Sequence, residues 1–123
     1  MEKFEGTSIT ISEMQKNAWQ CSDEHGFHQG EDRIPFAYVI SSKIDLIHTE
    51  LAEATEEIRG GKKFSYRNPE KPDKPEGVAA ELADVIIRCG DLAGILGIDL
   101  QAAVIEKMNY NITRPYRNGG KTL

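Results

Sequence analysis

Apolar residues recur at helical spacing along four stretches of this chain. Met14, Ala18 and Cys21 mark the first, which opens at the capping-box sequence Ser12-Glu13-Met14-Gln15 and stops near Gly26. In the second, Phe36, Ile40, Ile44, Ile47, Leu51, Ala54 and Ile58 form one long stripe, entered through Pro35 and ended by Gly60-Gly61. The length of that stripe outweighs the strand-like character of Ala37-Tyr38-Val39-Ile40. A third helix is expected from about Gly77 to Leu96, with Val78, Leu82, Val85, Ile86, Cys89, Leu92 and Ala93 on its apolar side. Gly97 stops it. Asp99 then caps a fourth helix, which turns Leu100, Ala103, Val104 and Met108 inward and ends before Pro115.

The pattern predicts an all-α fold, most simply a four-helix bundle in one domain spanning residues 1–123. The main interruption is the stretch from about 60 to 76. Its Lys62–Glu76 part holds three prolines and five Lys/Arg residues, and reads as a long basic loop. The tail, residues 115–123, is also basic and contains glycine.

Composition narrows the functional classes. A net charge of −5 argues against nucleic acid as the main partner. No apolar run approaches the roughly 18 residues of a membrane span, and no secretory signal pattern opens the chain. Cys21 and Cys89 lack metal-binding or disulfide-framework spacing and fit reduced core positions, so a cytoplasmic protein is expected. Four helices of these lengths leave apolar surface uncovered, which makes a homo-oligomer the natural assembly.

Two carboxylate pairs carry the candidate chemistry: Glu50-Leu-Ala-Glu53 and Glu81-Leu-Ala-Asp84, with 27 residues between Glu53 and Glu81. Residues three apart on a helix differ by about 60° in direction, so each pair projects from one face. They border the apolar stripes rather than opposing them. If the second and third helices pack together, four carboxylates converge, and their repulsion calls for a cation. All-oxygen ligation suits Mg²⁺, with Mn²⁺ as a substitute. On the fourth helix Lys107, Asn111 and Arg114 share a face at i, i+4 and i+7, as donors to a polyphosphate would.

The runs His48-Thr49-Glu50-Leu51-Ala52-Glu53-Ala54, Glu81-Leu82-Ala83-Asp84-Val85 and Leu96-Gly97-Ile98-Asp99-Leu100 resemble the MazG-like all-α nucleoside triphosphate pyrophosphohydrolases. The closing Lys107-Met108-Asn109-Tyr110-Asn111-Ile112-Thr113-Arg114-Pro115-Tyr116 also resembles that family, so the likeness covers about residues 36–121. Thr49 stands where several branches of the family carry an additional glutamate.

The resemblance implies a four-helix MazG-like bundle assembled as a dimer or dimer of dimers, with Mg²⁺ held by Glu50, Glu53, Glu81 and Asp84. It also implies hydrolysis of a nucleoside triphosphate between its α- and β-phosphates, giving a monophosphate and pyrophosphate, as in nucleotide-pool house-cleaning. Glu50 or Glu53 is the expected proton acceptor, and Lys107, Asn111 and Arg114 the expected phosphate ligands. The resemblance further implies a base slot built partly from the first helix, with Trp19 and Phe27 as stacking candidates and His25 or Gln20 as partners for a base edge.

Two other classes compete. A di-iron bundle needs two E-x-x-H motifs, and this chain offers only the loosely related Asp45-Leu46-Ile47-His48. A non-catalytic helical module whose acidic faces bind a basic partner needs only the exposed charge.

Overall fold

A computed structural model describes every residue except Glu2 and Leu123, the latter being the last residue of the basic tail. The chain runs α1 (Ile11–Glu24), a 3₁₀ turn (Glu31–Arg33), α2 (Phe36–Arg59), β1 (Tyr66–Asn68), β2 (Lys71–Glu76), α3 (Val78–Leu96), α4 (Leu100–Ile112) and a short α5 (Arg117–Gly120). The four long helices match the expected ones. Pro35 precedes α2, Gly97 ends α3 with φ 67, and the Asp99 side chain accepts from Ala102 N to cap α4.

Two expectations are corrected. The cap of α1 is Thr10 rather than Ser12, with Thr10 and Glu13 forming the reciprocal capping box. Thr-x-x-Glu satisfies two free amide donors at once, which Ser12 with Gln15 does not do here because Gln15 is engaged elsewhere. The basic loop is not structureless either. It holds an antiparallel two-stranded hairpin pairing Tyr66 with Glu76 and Asn68 with Lys71, with an irregularity between Tyr66 and Asn68. The fold is therefore mostly helical, four long helices with a small hairpin added to the expected pattern.

A two-stranded hairpin is marginal alone, so its anchors matter. The Tyr66 hydroxyl donates to the Glu57 carboxylate, 2.9 and 3.0 Å from its two oxygens. At the same open end Ala79 N donates to Phe64 O across 3.0 Å. Gly77, between hairpin and α3, has φ 101, and a Cβ there would collide with the Phe64 carbonyl. The hairpin is thus fixed to α2 and to the first turn of α3.

α3 is the central helix, with α2 and α1 packed on it and α4 resting chiefly on α1. Gly90 brings α1 and α3 close together, since a Cβ there would lie 2.6 Å from Met14 Sδ and 3.3 Å from Ala18 Cβ. Gln15 ties the α3–α4 turn to α1: its Nε2 donates to Ile98 O at 2.7 Å, and its Oε1 accepts from Leu100 N at 3.2 Å. Among the described residues the buried apolar ones are small, namely Ala18, Val39, Ala54 and Ala93. Cys21 and Cys89 are free thiols and half-buried. Ile44, Leu51, Ile58, Leu82, Ile86 and Ile105 all remain exposed in the single chain. Among the described residues no helix is long and apolar enough to cross a membrane.

Candidate metal centre

The packing of α2 on α3 brings Glu50, Glu53 and Glu81 together. One carboxylate oxygen from each lies within 4.8 Å of the others. Glu50 is buried, Glu81 half-buried and Glu53 exposed, so the group opens from the helix interface towards solvent. Three carboxylates this close repel one another, and the chain answers in two ways. Arg88, two turns after Glu81 on α3, places Nε 2.8 Å from Glu50 Oε1. Glu81 has its carboxyl pushed up to about 7 by burial, by hydrogen bonds to Glu50 and Glu53, and by their charge. Three carboxylate oxygens in this arrangement are a donor set that a hard dication would fit.

The fourth expected ligand, Asp84, is placed differently. Its carboxylate is not one of the three that converge. It stays within their field: its pKa is raised by burial and then by the Glu50 charge, against the opposing pull of Arg88. Lys74, on β2, also pulls it down, so the hairpin brings a cation to this region. Thr49 turns away, its hydroxyl donating to Asp45 O at 3.1 Å.

Beside the carboxylates lies a cavity of about 400 Å³ between α1, α2 and α3, within the size range of small-molecule sites. Ala18, Leu46 and Ile87 supply apolar wall, while Glu50, Asp84 and Arg88 border it as well. Phe27, at 68 % exposed, lines this cavity, as do Ser22, His25 and Asp91. Trp19 does not. It sits one position from Ala18 on α1, which turns it about 100° away, and its side chain lies against Gly94. Its ring centroid is 5.2 Å from that of His28. Gln20 is likewise directed elsewhere, donating to Glu24 on its own helix.

The cationic row of α4 is not brought to the carboxylates within one chain. Lys107, Asn111 and Arg114 are exposed, none lines the cavity, and α4 meets the bundle chiefly at α1. Lys107 and Arg114 instead lie over the Tyr110 ring, 5.1 and 5.4 Å from its centroid. Arg88 and Asp91 are the site residues that pattern reading left without roles. Their positions on the acidic side of α3, four and seven residues after Asp84, were the available signal.

Comparison with family models, with curated proteins and with solved structures finds no match for this chain.

Proposed function

We propose that the chain is a divalent-metal-dependent nucleoside triphosphate pyrophosphohydrolase, cleaving between the α- and β-phosphates to release a monophosphate and pyrophosphate. The observation that carries the reading is that Glu50 belongs both to the converging carboxylates and to the cavity wall. A metal-binding group and a base-sized cavity therefore share a residue, as cleavage of a nucleotide's phosphate chain requires. The resemblance of the two acidic motifs to the MazG-like family supports the same reaction class.

Glu50, Glu53 and Glu81 would hold Mg²⁺, with Asp84 completing the set through solvent or a modest side-chain movement. When bound, the ion would supply Lewis acidity towards the phosphate oxygens and lower the pKa of a coordinated water. The chain's own residues do the rest. Glu53, the most exposed of the three, accepts the proton of the attacking water. Arg88, whose Nε pairs with Glu50, turns its remaining N–H donors to the phosphates. Lys74 contributes charge from the hairpin. Phe27 and the apolar wall receive the base.

The chain acts as a homo-oligomer, which covers the exposed apolar residues of α2, α3 and α4. In that assembly a second copy supplies Lys107, Asn111 and Arg114 to the phosphates. The test is an assay of pyrophosphate and monophosphate over a panel of nucleoside triphosphates, with Mg²⁺ or with EDTA. Metal-dependent release of both products is expected. Inorganic phosphate with a diphosphate, or no turnover by folded protein, would overturn the reading.

A further inference from the structure

Asp91 is a carboxylate at 9 % residue exposure that the proposed metal chemistry does not use. It lies ten residues beyond Glu81 on α3, about 15 Å along the helix axis, and borders the cavity that Glu50 also lines. Among the described residues each of its oxygens has one hydrogen-bond partner. His28 Nε2 lies 2.8 Å from Oδ1, and Ser22 Oγ donates to Oδ2 at 3.1 Å. His28 is itself held from behind, its Nδ1 3.2 Å from Asp23 Oδ1 and its ring beside Trp19. The carboxylate cannot swing away from the cavity without breaking this chain of contacts.

An ionised carboxylate accepts only, and its two oxygens offer about four lone-pair sites. Two are used, and the rest belong to a side chain that lines the cavity. A ligand seated against Asp91 must therefore present N–H or O–H donors, and on a nucleotide base those are N–H groups. Resting on the nucleotide reading above, we infer that Asp91 reads the base and selects one whose edge bears an exocyclic amino group. Cytosine and adenine donate from that amine, and a carboxylate accepting from an amino edge is a well-matched pair. Uracil and hypoxanthine place a carbonyl oxygen at the same position, facing the negative charge. Phe27, on the same cavity, offers the face against which the base stacks.

Asp91→Asn separates this role from a structural one. Its carbonyl can keep the His28 contact, and its amide can donate to Ser22 Oγ, so the network around α1 survives. The second amide N–H then faces the cavity and favours a carbonyl. Matched pairs of monophosphates, CMP against UMP and AMP against IMP, are titrated by calorimetry in Mg²⁺, and turnover of the triphosphates is followed in parallel. The wild-type chain is expected to bind at least one amino member about tenfold more tightly than its oxo counterpart, and Asp91→Asn to abolish or reverse that ratio. The pair of different size identifies a pyrimidine or a purine site.

Equal binding of amino and oxo members by the wild-type chain overturns the inference, whether or not the variant folds. So does an unchanged ratio in a folded Asp91→Asn. Binding discrimination without turnover leaves the base assignment standing and overturns the reaction instead.

Discussion

The Nε of Arg88 lies 2.8 Å from Oε1 of Glu50, joining the cationic member of the α3 acidic face to the buried carboxylate of α2. Glu50 is 7 % exposed, and an unpaired charge at that depth is costly. Arg88 reaches it from a partly exposed position, so solvent weakens the pair. Arg88→Ala is expected to destabilise the metal-free chain by about 1–2 kcal/mol, less than a fully buried pair would lose. Saturating Mg²⁺ should recover most of that loss. Urea denaturation in EDTA and in Mg²⁺ measures both, and an equal loss under the two conditions would remove the metal from the account.

Glu81 sets a pH dependence. Its carboxyl is raised from 4.5 to about 7 in the folded chain, so between those values the folded state binds more protons than the unfolded one. Stability from this group is present below about 4.5 and is lost as pH rises through about 7. In EDTA the melting temperature should fall between pH 5 and pH 8. Glu81→Gln should flatten the slope, since it keeps the shape without the charge.

The Tyr66 phenol ties the hairpin to α2. Hydrogen bonding to Glu57, reinforced by burial and nearby negative charge, pushes Tyr66 up to about 12. A spectrophotometric titration should find one of the four tyrosines ionising well above the others. In Tyr66→Phe the amides of Tyr66–Asn68 and Lys71–Glu76 should exchange faster, with those of α3 unchanged.

Trp19 reports on the α1–α3 contact. A Cβ at Gly94 would lie 2.8 Å from Trp19 Cδ1 and 3.0 Å from its Cβ and Cγ. Gly94→Ala should therefore displace the ring and cost about 1–2 kcal/mol, after the roughly 1 kcal/mol that alanine gains over glycine in a helix. Because the chain has a single tryptophan, its fluorescence should shift with the substitution.

These sites differ in how far the sequence reveals them. Glu50, Glu53 and Glu81 are legible because both motifs border apolar stripes that must pack together. Gly97 and Asp99 are legible because a left-handed stop and a carboxylate cap act within one turn of chain. The hairpin at Tyr66–Glu76 is not: it has no alternating apolar face, Pro72 and Pro75 fall within β2, and its anchors lie on Glu57 and Ala79. Asp91 is visible only as one more acid until the packing of α1 on α3 supplies His28 and Ser22. Trp19 and Phe27 look alike as aromatic candidates; helix phase turns Trp19 against Gly94, while Phe27, in the turn after α1, lies on the cavity.

The most direct test of the metal centre is a Mn²⁺ titration followed by electron paramagnetic resonance, which counts free ion as protein is added. Wild-type protein should remove the free Mn²⁺ signal, Mg²⁺ should restore it by competition, and Glu53→Ala, folded by circular dichroism, should bind at least about tenfold more weakly. Equal binding by the variant, or none by the wild-type chain, would contradict a metal site at Glu50, Glu53 and Glu81.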